Sequence, residues 1–281
     1  MSLGNMDLGT LTGPLLIFGG PYSNLAATRA LKQEADRLGL SSQQVICTGD
    51  LVAYCAEPVE TLALIRDWGI PVVMGNCEEA LAADAPDCGC GFSEDSACSL
   101  LSVEWYLFAS QQVSQDDKLW MGKLPRQISF ELADKRFQVV HGSVDRINEF
   151  IFASSSAQHK QTQLDLAGAD VVVGGHCGIP FGTQLEQGYW LNSGVIGMPA
   201  NDGTASVWYM LLTPNAQGIE VSWHRLDYPA DQASENMQQA NLAAPYAECL
   251  RTGFWPSEDV LPESERAMRG QMLELSSILI T

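Results

Sequence analysis

Four polar side chains follow short apolar runs, each next to glycine: Asp50 in "VICTGD", Asn76 in "VVMGN", His141 in "FQVVHG" and His176 in "VVVGGH". Loops at one edge of a parallel sheet gather in space, so residues this far apart in sequence can meet. A carboxylate, an amide oxygen and two imidazoles make an N/O donor set that suits Mn, Fe or Zn. Asp and Asn beside Gly are also ordinary turn residues. The set therefore acquires chemical meaning only if the fold assembles it.

The surrounding pattern supplies such a fold. "PLLIFG" (14–19), "QQVICTG" (43–49) and "IPVVMG" (70–75) read as buried strands. Between them, "NLAATRALKQEADRLGL" has helical spacing at Leu25, Leu31 and Leu38, with Asn24 as N-cap and Gly39 as the stop. "EPVETLALIRDWG" reads as a second helix with Pro58 at a tolerated early position. Alternating strands and helices imply a parallel α/β sheet. Residues 84–98 are acidic and rich in Gly and Cys, so they read as a surface insert, and helices follow to about Lys123. "RQISFELADKRFQVV" predicts two strands turning at Ala133-Asp134-Lys135. "DVVVGG", "GTQLEQGYWLNSG", "ASVWYMLLT" and "GIEVSWHRLD" predict more strands, hence a second sheet packed on the first. Residues 231–281 read as a helical extension of one domain spanning 1–281. The helical spacing of apolar residues in "ESERAMRGQMLELSSILI" fits core cover, with a homo-oligomer contact as the alternative.

The chain has 281 residues, 15 Lys+Arg and 34 Asp+Glu, for a net charge of −19. That charge disfavours duplex nucleic acid and anionic membrane surfaces as partners. No apolar run is long enough for a membrane span. The start, "MSLGNMDLG", lacks the basic and apolar regions of a signal peptide, so a cytoplasmic location is expected. The eight cysteines are scattered and fit buried free thiols. Cys88, Cys90 and Cys98 are a weak zinc pattern. His159 and His224 read as structural or solvent-facing.

Taken in order, these turns resemble the calcineurin-like metallophosphoesterase superfamily, in its small prokaryotic phosphodiesterase branch. The family's blocks are D-x-H-G-N, G-D-x-x-x-Y, G-N-[HC]-[DE], H-G-S and G-H-x-H. "GDLVAYCAEPVETLALIRDWGIPVVMGNCEEAL", "VVHGSVDRINEFI", "WLNSGVIGMPAND" and "WHRLDYPADQASENMQQANL" are similar to family segments. The resemblance runs from about Pro14 to Gly253. It implies a four-layer α/β/β/α sandwich and a two-metal centre. The second metal's ligands are all present as Asp50, Asn76, His141 and His176. The first metal's are not. The D-x-H block falls on Gly20-Pro21-Tyr22 and the last His of G-H-x-H on Gly178, so only the shared Asp50 remains there.

The resemblance also places Cys77 where most members have a catalytic histidine, and Glu78 at the acidic position beside it. Met198 and Ala200 stand in place of a polar residue and an arginine that touch substrate. Asn24, Ser143 and Asn192 are weak substrate-binding candidates. The expected cofactor is one divalent transition-metal ion (Mn, Fe or Zn), or none. The expected function is a catalytically impaired family member that binds a phosphorylated small molecule or phosphodiester. The alternative is a mononuclear phosphoesterase acting on phosphodiesters or nucleotides.

Overall fold

A computed structural model describes residues 4–91 and 96–281. The first third of the chain forms β1 (Asn5–Thr10), β2 (Leu15–Phe18), α1 (Leu25–Arg37), β3 (Val45–Cys47), α2 (Pro58–Trp68) and α3 (Asn76–Ala82). Next come α4 (Ala97–Gln112), α5 (Gln115–Met121), β4 (Gln127–Leu132), β5 (Lys135–Val139), α6 (Ala157–Ala167), β6 (Val171–Gly174), β7 (Phe181–Leu185) and β8 (Gly188–Asn192). The chain ends with β9 (Val207–Asn215), β10 (Gly218–Leu226), α7 (Ala230–Gln239), α8 (Ala244–Thr252), α9 (Glu263–Arg266) and β11 (Ile278–Ile280).

Two sheets result, one ordered β1-β4-β5-β6-β8-β7 and the other β11-β10-β9-β2-β3. Strand side chains alternate between faces, and the buried residues sort accordingly. In β2, Leu15 and Ile17 join the core between the sheets, while Leu16 and Phe18 join the core under the helices. In β6, Val171 and Val173 face the other sheet and Val172 faces outward, in one cluster with Leu164 of α6. Three apolar cores thus separate four layers, the α/β/β/α arrangement. The valine run of β6 is apolar on both faces because both faces are covered.

Local chemistry fixes the helix ends. The Asn24 side chain accepts from Ala27 N at 3.1 Å to start α1. Pro58 opens α2, and left-handed Gly69 closes it. Ala133 and Asp134 both have positive φ, which produces the tight turn between β4 and β5.

The structure departs from the sequence reading in four places. Residues 70–75 contribute a single bridge, Cys47 to Val72, rather than a full strand. Pro71 has no N–H to donate to a ladder. Asn5–Thr10, to which the sequence reading assigns no strand, pairs in parallel with β4 as a largely exposed edge strand. The tail is not helical to its end: α9 is one turn, and β11 pairs antiparallel with β10. The insert at 84–98 is not all surface, because Cys88 and Cys90 are buried and Ala97 and Cys98 already belong to α4. Its residues 92–95 lie outside the described residues.

Candidate metal centre

Each of the four candidate ligands sits where its element ends. Asp50 follows β3, Asn76 begins α3, His141 follows β5 and His176 follows β6. Gly49 (φ 101°) and Asp50 (φ 58°) turn the chain sharply after β3, and Asp tolerates that left-handed geometry better than most residues. A β-carbon on Gly49 would stand 2.7 Å from Gly75 N, so the Asp50 and Asn76 loops touch through their glycines. Glu78 ties the same loops together. Its carboxylate accepts from Asp50 N at 2.8 Å, Leu51 N at 2.8 Å and Gly75 N at 2.9 Å.

The ligand atoms converge on His141 Nε2. Asn76 Oδ1 lies 3.0 Å from it, His176 Nδ1 3.0 Å and Asp50 Oδ2 3.2 Å. Asp50, His141 and His176 are all buried, and their ligand atoms lie within 4.8 Å of one another. Two further contacts fix which atoms point inward. His141 Nδ1 sits 2.7 Å from the Thr48 carbonyl, which can only accept, so Nδ1 carries the proton and a neutral ring presents its Nε2 lone pair to the centre. Asn76 Nδ2 donates to the Cys88 carbonyl at 2.9 Å, which leaves Oδ1 facing inward. With His176 in the tautomer that leaves Nδ1 unprotonated, four lone pairs meet in a buried space. A single proton on His141 could serve only one of the other three, whereas a divalent ion serves all four. The donor set fits a transition metal, with ligand orientation set by outer contacts.

The electrostatics agree. Burial alone would raise the Asp50 carboxyl, but the His141 and His176 rings outweigh it and hold the group well below the usual carboxylate range. Burial opposes charge on His141, yet Asp50 beside it raises its pKa on balance. Burial wins at His176, whose pKa falls. Burial and the neighbouring Asp50 push Glu78 up to about 7, against the backbone N–H groups it accepts.

The other half-site is remodelled. Tyr22 is buried, and its ring turns back over Gly20. Gly20 (φ 40°) and Gly178 (φ 75°) are both left-handed, and Gly178 faces Trp255 and Val195. Tyr22 also packs edge-on against Tyr54, with ring centroids 4.9 Å apart. The place of the missing ligands is held by an aromatic cluster.

Cys88 and Cys90 form a disulfide, contrary to the expectation of free thiols or a zinc motif with Cys98. The other six cysteines, Cys77, Cys98 and Cys177 among them, are free and buried. The bonded pair covers the metal centre. Cys90 Sγ accepts from Asn76 Nδ2 at 3.3 Å, and Gly89 O accepts from Asn148 Nδ2 at 2.9 Å. Nothing in the acidic composition of the insert signals this role. Sequence reading also misses Phe150, whose ring lies 4.2 Å from that of His176, and Trp255 beside Gly178.

The remaining candidates have loop-holding contacts. Asn24 Nδ2 donates to Gly197 O at 3.1 Å, and Asn192 Oδ1 accepts from Gly194 N at 2.9 Å. Ser143 Oγ donates to Asp145 Oδ1 and accepts from Arg146 N within its own turn. Cys77 is buried, and its N–H donates to Asp50 Oδ1 at 3.2 Å. Burial, then Asp50 and Glu78, raise its thiol well above the ordinary value.

Fold and centre together are those of the calcineurin-like phosphoesterase superfamily. The Calcineurin-like phosphoesterase superfamily domain matches residues 23–215, and the chain belongs to that superfamily. An uncharacterised protein of Methanocaldococcus jannaschii is 24% identical over 240 residues, covering 79% of this chain and 90% of the relative. A hypothetical protein of Pyrococcus horikoshii has a similar fold (TM-score 0.73, 13% identity), covering 86% of this chain and 99% of that one. A metallophosphoesterase from Sphaerobacter thermophilus is also similar (TM-score 0.68, 21% identity), covering 86% and 100%. No helix among the described residues is long and apolar enough to cross a membrane.

Proposed function

We propose that the chain binds one divalent transition-metal ion through Asp50, Asn76, His141 and His176, and uses it to hold a phosphorylated ligand with little or no hydrolysis. The observation that carries this reading is the convergence of four buried ligand groups, Asp50 among them, while Tyr22 folds over Gly20 where the other half-site's ligand would stand. When bound, the ion would polarise a phosphoryl oxygen and supply positive charge to the ligand. Two-metal hydrolysis needs a second ion roughly 3.5–4 Å away. Asp50 is the one ligand left for it. The chain's own groups do the positioning: Thr48 O fixes the His141 tautomer, Cys88 O fixes the Asn76 amide, and Glu78 fixes both loops.

The test is metal analysis of the full chain after loading with Mn²⁺, alongside turnover of bis(p-nitrophenyl) phosphate. One ion per chain, lost in His176→Ala, with turnover at least about 10²-fold below a two-metal relative is expected, since each lost charge-stabilising group typically costs that much. Two tightly held ions would overturn the reading. Brisk turnover with one ion would establish mononuclear hydrolysis instead, which the fully oriented ligand set favours as the second reading.

A further inference from the structure

A cavity of about 70 Å³ opens beside His176. Its walls include three of the positions at which this chain departs from the family's pattern: Tyr22, Gly178 and Met198. Trp255, Phe150 and Val260 complete the enclosure from the tail and from the loop after β5. Among the described residues, no Lys, Arg, Asp or Glu lines it. The tail residues are held in place from below, since Trp255 Nε1 donates to Pro199 O at 2.7 Å and its backbone N–H donates to Asn201 Oδ1 at 2.8 Å.

We infer that this cavity is a specificity pocket for a compact apolar group carried on a phosphate or phosphonate bound at the metal centre. The inference rests on the reading of the metal centre given above and adds the chemical class of its ligand. Three considerations select that class. First, a polyphosphate needs several cations, and the cavity offers none beyond the metal. Second, a sugar ring with its hydroxyls exceeds this volume, and although Tyr22, Tyr54, Tyr246 and Ser257 bring hydroxyl groups to the wall, most of it is apolar. Third, an alkyl group entering the cavity removes apolar wall from water as well as itself, worth about 25 cal/mol per Å². The volume is about half that of an engineered apolar cavity of about 150 Å³ that admits benzene. A branched group of a few carbons therefore fits better than a nucleobase. On the side where the family binds its first ion, this chain has a place for the ligand's apolar substituent.

Two measurements on the full chain test this. In the Mn²⁺-loaded protein, calorimetry compares inorganic phosphate, methylphosphonate, isopropylphosphonate and AMP. Isopropylphosphonate should bind at least about tenfold tighter than inorganic phosphate, as burial of two to three carbons predicts at about 0.8 kcal/mol each. AMP should bind no tighter than inorganic phosphate. Val260→Trp, which fills the cavity without replacing any metal ligand, should erase the isopropyl advantage while inorganic phosphate and one metal ion still bind. Equal affinities across the series, tighter binding of AMP, or an advantage that survives Val260→Trp would overturn the proposal. The second measurement, xenon binding to the metal-free chain by ¹²⁹Xe NMR, is independent of the ion. Saturable binding that Val260→Trp abolishes supports the pocket even if metal or phosphate binding fails, in which case only the reading of the metal centre falls. No xenon binding overturns the pocket.

Discussion

The Tyr22 ring lies directly over Gly20: a β-carbon on Gly20 would stand 2.5 Å from Tyr22 Cζ. An aspartate at position 20 and a tyrosine at position 22 are therefore mutually exclusive in this backbone. Gly20→Asp alone should destabilise the chain by about 2–4 kcal/mol, from overpacking and from its left-handed φ. Adding Tyr22→His should return at least about 1 kcal/mol, because neighbouring substitutions couple. Urea unfolding of the two single variants and the double variant reads this coupling, and strict additivity would count against the steric account.

The same geometry tempers restoration of the second ion. Gly20→Asp, Tyr22→His and Gly178→His together place a new β-carbon at two left-handed positions. The triple variant should take up a second Mn²⁺ only at a clear loss of melting temperature. A second ion bound with no such loss would mean that these loops relax freely.

Metal should stabilise the native chain by mass action. At Mn²⁺ one hundred times its dissociation constant the gain is about 2.7 kcal/mol, or roughly 5–10 °C in melting temperature for a chain of this size. Asn76→Ala should remove most of the shift. Calorimetry with and without chelator checks it, and an unchanged shift in Asn76→Ala would take Asn76 out of the ligand set.

Reduction of the Cys88–Cys90 bond should weaken metal binding, since that turn supplies the carbonyl and sulfur that orient Asn76. Loss of such an outer contact typically costs about 10–100-fold in affinity. Thiol titration of the denatured chain should show six reactive groups without reductant and eight with it. Equal Mn²⁺ affinity before and after reduction would show that Asn76 holds its orientation without the bond.

Asp202 ties the tail to the second half of the fold. Its Oδ2 accepts from Arg225 Nη2 at 2.7 Å and from Leu273 N at 3.1 Å. Burial would raise this carboxyl, but Thr204, the Leu273 N–H and Arg225 outweigh it and lower it. A depressed carboxyl contributes stability above its unfolded pKa of about 3.9 and loses it as pH falls through the lower folded value. Asp202→Asn should therefore cost about 2 kcal/mol at pH 7 and flatten the stability profile below about pH 4. A profile parallel to that of the parent would refute this assignment.

Strand and helix identities were legible where periodicity is strong, as in the valine run before His176 and in the helix after Asn24. The four converging ligands were legible because each stands at an element's end beside a glycine. The edge strand Asn5–Thr10 was not, because its apolar alternation is only Met6 and Leu8 long and the strand is largely exposed. Nor was the Cys88–Cys90 turn over Asn76, because composition reports polarity and not which loop folds inward. Tyr22 could be placed at a ligand's position from its neighbours in sequence. That its ring closes the site over Gly20 depends on a positive φ that no residue pattern announces.

The four ligands come from both halves of the sandwich. Asp50 and Asn76 follow segments of the sheet that contains β2 and β3, and His141 and His176 follow strands of the other. An ion shared among them spans loops distant along the chain, whose closure is entropically costly and comes late in folding. It can bind only after the two sheets have docked, so it adds nothing to the barrier for reaching the native state. Its effect falls on escape from that state, where it slows unfolding. The ion should then act as a kinetic latch between the sheets: chelation would shorten the lifetime of the folded protein while leaving its refolding rate unchanged.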